Sequence, residues 1–160
     1  MKPKLYLETT IPSYLTSRPS RDLLVAANQQ VTRQWWDERR NQFNLYVSQA
    51  VINEAGAGDV ALANERLKVI QGLPVLQATP EAAELTTRIL QLGIIPQRAA
   101  TDALHIAIAA AHDVDYLMTW NCSHIANAVI IRRIAQACEE QGFECPLICT
   151  PHELLGESAL

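Results

Sequence analysis

Three carboxylic acids and one amide stand where the sequence predicts the ends of secondary-structure elements. Glu8 closes an alternating apolar segment, and Glu54 follows a short apolar run. Asp102 heads a nearly wholly apolar helix, and Asn121 follows another buried strand. An acid beside a hydrophobic core is costly without a partner, and oxygen ligands select magnesium or manganese over zinc. If these four side chains meet, they permit metal-assisted hydrolysis of a phosphodiester.

Each of these residues also has an ordinary structural explanation. An Asp in the first turn of a helix is stabilised by capping and by the helix dipole, and Asn or Ser after a strand commonly forms a turn. The metal interpretation therefore depends on the elements that position the four residues.

Strands and helices alternate along the chain. Apolar alternation and short apolar runs predict five strands, at residues 4–8, 45–48, 75–76, 116–120 and 146–149. Helical periodicity predicts helices at 21–39, around Glu54, and at 59–71, 80–92, 101–111 and 124–141. Residues 13–22 form a turn-rich connection in this prediction, with Ser20 as the N-cap of the helix that follows.

The alternating order implies a parallel sheet covered on both faces, and the ligands of such folds lie beyond the carboxyl ends of the strands. We therefore expect Glu8, Glu54 and Asn121 at one edge of the sheet. Asp102 belongs there too, because it begins the helix that leads into the penultimate strand. Two further acids precede that strand and are expected at the opposite edge, in an ordinary turn: Asp113 and Asp115.

Composition favours a compact globule. The chain has 160 residues, of which 49% are hydrophobic and 19% charged, so we expect one domain spanning residues 1–160. The net charge of -4 does not indicate a nucleic-acid binder, although residues 1–40 hold seven Lys and Arg against four acids. With neither a signal peptide nor a membrane span predicted, we expect a cytoplasmic protein without membrane association. The four cysteines are expected to be reduced thiols, because their spacing fits neither a disulfide framework nor a usual zinc site.

Other catalytic motifs are missing from the sequence. It has no Gly-rich phosphate loop, no G-x-S-x-G and no H-E-x-x-H. A metal-dependent phosphatase on another α/β fold is an alternative, but phosphatases that use a covalent Asp usually carry an Asp pair after the first strand. Here that place reads Glu8, Thr9, Thr10.

Four segments together resemble, in order, the motif regions of PIN-domain proteins, a family that includes the VapC toxins of bacterial toxin–antitoxin pairs. The segments are YLETTIPSYL, the helix carrying Glu54, TDALHIAIA and YLMTWNCSHIAN, and they span essentially the whole chain. The resemblance implies a three-layer α/β/α sandwich with a central, mainly parallel sheet, and a metal-dependent ribonuclease.

By resemblance, the ligands of Mg²⁺ or Mn²⁺ are Glu8, Glu54, Asp102 and Asn121, and Thr119 is a supporting hydroxyl. A toxin role would bring an antitoxin partner, and a homodimer would fit small PIN proteins. The family usually has Asp in place of Glu8 and commonly Asp in place of Asn121. Because the second change removes a negative charge, it should weaken a second metal. Two functions therefore stay open: an endoribonuclease acting on single-stranded RNA, and a catalytically weakened module that binds nucleic acid or protein.

Three more polar residues have two interpretations each. Asp22 could supply a compensating acid, but a role at the start of a helix is favoured. His105 lies one turn after Asp102 and could face the site, although a packing role in its apolar helix is favoured. His124 could touch substrate or cap its own helix.

Basic and aromatic residues of the N-terminal third could contact RNA. Arg18 and Arg21 are candidates for gripping phosphate, with a solvated loop as the alternative. Trp35 and Trp36 could stack on bases. We expect Trp35 in the core and Trp36 partly exposed or at a subunit interface.

Overall fold

A five-stranded, wholly parallel sheet forms the centre of the computed structural model, which describes residues 1–156. The spatial order of the strands is β3-β2-β1-β4-β5. In chain order they are β1 (Lys4–Leu7), β2 (Asn44–Ser48), β3 (Val75–Leu76), β4 (Tyr116–Met118) and β5 (Leu147–Cys149).

Seven α-helices connect the strands in the described part of the chain. They are α1 (Thr10–Thr16), α2 (Leu23–Arg39), α3 (Gln49–Ala55), α4 (Val60–Ile70), α5 (Pro80–Gln91), α6 (Ala100–Ala111) and α7 (Ile131–Glu140). Helix α6 packs against α5 and also contacts α3. The predicted fold class, an α/β sandwich around a parallel sheet, is confirmed.

Both faces of the sheet are covered by helices. Leu5, Tyr6 and Leu7 follow one another along β1 and are all completely buried. Because successive side chains of a strand point to opposite faces, burial of all three requires packing on each side. The apolar alternation of residues 4–8 predicts one buried face, that of Leu5 and Leu7, so the burial of Tyr6 on the opposite face is a finding of the structure.

The order of the strands reverses between β1 and β4. Strands β2 and β3 lie on one side of β1, and β4 and β5 lie on its other side. Leu7 pairs with Met118 at the end of these two central strands. Glu8 and Thr119, the next residues, therefore emerge side by side at the carboxyl edge, where ligands of parallel sheets bind.

The connection after β1 was predicted wrongly. Helix α1 (Thr10–Thr16) begins before the segment 13–22 that was assigned to turns and extends into it, and Pro12 lies in its first turn. Proline is tolerated there because the N–H it lacks would have no partner within the helix. The cap of α2 is Asp22 rather than Ser20, since Asp22 Oδ1 accepts hydrogen bonds from Leu24 N and Val25 N at 2.9 and 3.1 Å. Asp22 thus has the helix-start role that was favoured for it.

The last helix was also predicted too long. It begins at Ile131 instead of His124, because residues 121–130 form successive turns. Asn121 Oδ1 accepts from His124 N at 3.0 Å, and Asn127 Oδ1 accepts from Val129 N at 2.9 Å. Such bonds from Asn side chains to nearby backbone compete with helix formation. Strand β4 is likewise shorter than predicted and ends at Met118.

Among residues 1–156, none of the helices has the length and apolar character needed to cross a bilayer. The expectation of one domain over residues 1–160 extends into positions 157–160, which lie outside the described residues, and it stays a prediction.

Candidate functional site

Glu8 is held immediately beyond β1 by three hydrogen bonds to one carboxylate oxygen. Its Oε1 accepts from Thr10 N at 3.0 Å, from the Thr10 hydroxyl, and from Thr119 Oγ1 at 2.7 Å. Glu8 is only 3% exposed. The other carboxylate oxygen of Glu8 has no hydrogen-bond donor within residues 1–156. One oxygen is therefore fixed by the protein, while the second is free to bind another group.

Glu54 reaches the same edge from the end of α3, which starts directly after β2 with Ser48 as its N-cap. Its Oε1 accepts from Thr9 Oγ1 at 2.6 Å and is 2.6 Å from His105 Nε2. Burial raises the pKa of Glu54, but the hydrogen bonds from His105 and Thr9 outweigh burial and hold the pKa below its ordinary value. Glu54 is therefore an anion at neutral pH.

The two glutamates and His105 form a compact group. One ligand atom from each of Glu8, Glu54 and His105 lies within 4.8 Å of the others, and in residues 1–156 this is the one such group of His, Cys, Asp and Glu. Within the same part of the chain, no Lys or Arg lies within 4.0 Å of the carboxylates of Glu8, Glu54 or Asp102. Two adjacent carboxylates, each with an unbonded oxygen and without a Lys or Arg partner in the described residues, fit a divalent cation.

Asp102 and Asn121 lie on a second branch of the site. Asp102, in the first turn of α6, pairs through Oδ2 with His124 Nδ1 at 3.1 Å. Asn121 Oδ1 accepts from His124 N, and Asn121 N donates to Thr119 Oγ1 at 2.9 Å. A continuous chain of hydrogen bonds thus runs from Glu8 through Thr119, Asn121 and His124 to Asp102. Asp102 itself lies outside the 4.8 Å group.

The residues proposed to contact substrate have different settings. Arg18 and Arg21 are exposed between α1 and α2. His124 is bonded to Asp102, and its side chain is 28% exposed. Trp35 is completely buried, as expected. Trp36 is half-buried, and the Arg40 guanidinium lies 5.1 Å from its ring centre, so its stacking partner is within the chain.

Sequence reasoning treated some of the residues that support the site as mere spacers. Thr9 and Thr10 marked only the end of β1, yet each donates a hydroxyl hydrogen bond to one of the glutamates. Tyr6 was not singled out, although its hydroxyl lies 2.6 Å from His105 Nδ1. A usable signal was present, because Thr-Thr after a strand-ending acid places two hydroxyls at the acidic edge, one for Glu8 and one for Glu54. His105 also stands in a helix predicted to be almost wholly apolar, where it needs a polar partner.

The chain resembles known proteins in its fold. No family model and no curated protein matches the chain. Among solved structures, the chain is similar to a chain of VapBC2 from Rickettsia felis bound to a DNA fragment from their promoter. The TM-score is 0.57 at 14% identity, and the match covers 91% of this chain and 97% of the other. A likeness at this identity shows the fold, and it agrees with the PIN-like architecture expected from the sequence motifs.

Proposed function

We propose that this protein is a metal-dependent endoribonuclease that hydrolyses phosphodiester bonds of single-stranded RNA. The observation that carries the proposal is the pair of carboxylates of Glu8 and Glu54. They lie next to one another at the carboxyl edge of a parallel sheet, each with one oxygen fixed and one unbonded. Such a pair fits a cation, and hard divalent ions prefer oxygen ligands.

The residues proposed to hold Mg²⁺ or Mn²⁺ are Glu8, Glu54, Asp102 and Asn121. When bound, the ion would supply an activated water, orientation of the phosphodiester and neutralisation of developing charge. Thr119 supports this set, because its hydroxyl donates to Glu8 and accepts from Asn121 N. His124 Nδ1 contacts Asp102 Oδ2 at 3.1 Å and so keeps that carboxylate beside the site.

The exposed arginines that precede α2, Arg18 and Arg21, are proposed to bind the phosphates of the RNA strand. His124 is partly exposed beside Asp102 and is a further proposed substrate contact. These contacts would position the substrate, while the acidic edge carries out the hydrolysis.

The structural likeness to a VapBC2 chain supports a role as the toxin of a toxin–antitoxin pair. The proposed partners are accordingly an antitoxin protein, RNA as substrate, and a second copy of the chain in a homodimer. An RNA substrate makes the cytoplasm the proposed compartment.

The test is cleavage of a panel of single-stranded RNAs in Mg²⁺ or Mn²⁺ by wild type, Asp102→Asn and chelator-treated protein. We expect cutting that requires the metal and is lost in Asp102→Asn, which keeps the size and an acceptor for His124. The matched control is Asp113→Asn, because Asp113 has the same chemistry at the opposite edge of the sheet and is exposed. Equal cutting by all variants would show that the activity comes from a contaminant.

A second candidate, a PIN-fold binding module with weakened catalysis, is favoured by Asn121. Its amide carries no charge, and its Oδ1 already accepts from His124 N. If folded wild type cuts no RNA in any metal but retains RNA in a gel-shift assay, this candidate replaces the first.

A further inference from the structure

We propose that His105 is a positioning residue that fixes the Glu54 carboxylate, and that Tyr6 and Ser48 fix His105 in turn. The hydrogen bonds among these residues are independent of the proposed function. The expected effect of His105 on metal affinity rests on the proposed function. The assignment concerns a chain of four side chains that begins in the core and ends at the acidic edge.

The chain of hydrogen bonds is short and buried along most of its length. Ser48 Oγ lies 2.7 Å from the Tyr6 hydroxyl, which is 2.6 Å from His105 Nδ1. His105 Nε2 is 2.6 Å from Glu54 Oε1. Ser48, Tyr6 and His105 are all completely buried, so water does not compete for these bonds. The four residues come from β2, β1, α6 and α3, and the chain therefore ties four elements together.

The direction of each bond follows from the chemistry of its ends. The 2.6 Å contact joins a carboxylate oxygen of Glu54, which accepts, to a ring nitrogen, so His105 Nε2 is the donor and carries the proton. With the ring proton on Nε2, Nδ1 is an acceptor for the Tyr6 hydroxyl. Ser48 donates to Tyr6, and Ser48 Oγ also accepts from Val51 N at 3.4 Å. In this arrangement each proton has an acceptor. If the proton were on Nδ1 instead, Nδ1 would donate to the Tyr6 hydroxyl, and the Tyr6 hydroxyl would have to donate to Ser48. The Ser48 hydroxyl proton would then be unpaired.

The retention of the Tyr6 proton agrees with its surroundings. Burial raises the pKa of Tyr6 far above its ordinary value, and the nearby charges of Glu8 and Glu54 raise it further, although the hydrogen bond to Ser48 lowers it. Burial thus favours the protonated phenol, which can donate to His105 Nδ1 at 2.6 Å.

This arrangement also distinguishes a positioning role from a ligand role. His105 belongs to the group of possible ligand atoms around Glu8 and Glu54. However, its Nε2 carries the proton that binds Glu54, and its Nδ1 faces Tyr6. Neither nitrogen has a lone pair available for an ion, so His105 acts through Glu54.

Glu54 needs this support because its side chain is 37% exposed and stands at the end of a seven-residue helix. His105 and Thr9 both bond Glu54 Oε1, so the other carboxylate oxygen of Glu54 is left for the ion.

The first measurement is ¹⁵N NMR of the metal-free protein, with histidine labelled in the ring. We expect His105 to show a protonated Nε2 and an unprotonated Nδ1, with slow exchange of the Nε2 proton. Replacing Glu54 by Gln removes the charge of the acceptor, so the proton resonance should move upfield. The control Glu65→Gln, at an exposed acid on α4, should leave it unchanged. A His105 ring without a proton on Nε2 would overturn the proposal.

The second measurement is Mn²⁺ binding, by calorimetry, to wild type, His105→Ala, His105→Gln and His112→Ala. Loss of a group that orients a metal ligand typically lowers affinity about 10- to 100-fold, and we expect this for His105→Ala. Gln offers an N–H near the place of Nε2, so His105→Gln should recover most of the affinity. His112 is the matched control, because it ends the same helix and its Nε2 bonds only the Gln77 carbonyl, at 2.8 Å.

Two results of the binding experiment would contradict the positioning role. One is an unchanged Mn²⁺ affinity in folded His105→Ala. The other is direct ¹⁴N coupling to bound Mn²⁺ in electron spin echo spectra that disappears in His105→Gln, which would make His105 a ligand. If wild type binds no Mn²⁺ at all, the proposed function fails, and the NMR result alone decides the positioning of Glu54.

Discussion

The candidate site contains two pairs of a carboxylate and a histidine, both involving α6, and they differ in the burial of the histidine. The carboxylates differ the other way, since Glu54 is 37% exposed and Asp102 18%. The names buried pair and exposed pair therefore refer to the histidine. In one pair, His105 Nε2 lies 2.6 Å from Glu54, and His105 is completely buried. In the other, His124 Nδ1 lies 3.1 Å from Asp102, and the His124 side chain is 28% exposed. Water competes with hydrogen bonds at the exposed pair but not at the buried histidine. The same two chemical groups thus form a rigid contact in one place and an adjustable one in the other.

This difference suggests a division of roles within the site. The pair of Glu54 and His105 is fixed by further bonds to Thr9 and Tyr6. His124 belongs to the turn that begins at Asn121, where solvent and substrate have access. We infer that the buried pair sets the geometry of the proposed metal site, while the exposed pair adapts to what binds there.

The strongest way to test the buried pair is to remove the charge of Glu54. In Glu54→Gln, we expect metal-dependent RNA cleavage to fall by about 100-fold or more, since even the loss of an outer-shell partner costs about 10- to 100-fold in metal affinity or activity. Initial rates at saturating Mn²⁺ are the measurement. The exposed acid Glu65 provides the control, Glu65→Gln, and a Glu54 variant as active as this control would remove Glu54 from the site.

The support of the buried pair is tested by Tyr6→Phe. The substitution keeps the ring but leaves His105 Nδ1 and Ser48 Oγ without their shared partner in a buried place. We expect the free energy of unfolding to fall by about 1–3 kcal/mol, the usual cost of an unsatisfied buried polar group. Urea denaturation measures the change. Tyr46→Phe, on the neighbouring strand, is a control with no side-chain hydrogen bond in residues 1–156. Equal stability of wild type and Tyr6→Phe would show that the chain of hydrogen bonds contributes little.

The stability of the buried pair should also depend on pH. The pKa of Glu54 is lower in the folded protein than in the unfolded chain, where it is about 4.3. The ionised carboxylate therefore stabilises the fold above that value, and this contribution is lost as pH falls through the lower, folded-state pKa. The difference in unfolding free energy between wild type and Glu54→Gln should be constant near pH 7 and shrink below about pH 4. A difference that persists unchanged at pH 2 would contradict the assignment.

The smallest effect is expected at the exposed pair. His124→Ala removes a partly solvated contact to Asp102, and such pairs contribute about 0–1 kcal/mol. Measured by urea denaturation, the free energy of unfolding of His124→Ala should lie within about 1 kcal/mol of the wild-type value. It should be higher than the free energy of unfolding of Tyr6→Phe. If His124→Ala lowered the free energy of unfolding as much as Tyr6→Phe does, the distinction between the two pairs would be wrong.

Much of the fold was predictable because it depends on neighbours in sequence. Alternation of apolar residues located β1, and the apolar run of α6 located the central helix, so the order of strands and helices implied a parallel sheet. Helix α1 was missed because Pro12 was taken as the end of regular structure, although a proline fits the first turn of a helix. The start of α7 was misplaced because helical periodicity does not reveal competing bonds from Asn side chains.

The sequence by itself determined which edge of the sheet gathers the acids, since strand direction and helix order follow from local patterns. Only the tertiary structure decided which partner each acid has. Asp102 and His105 stand three residues apart on α6, yet one pairs with His124 and the other with Glu54, 51 positions away. Hydrogen bonds across such separations depend on how α6 packs against α3 and β1, and no local pattern contains that information. The sequence therefore specified a set of acids, and packing selected the buried histidine that orients one of them.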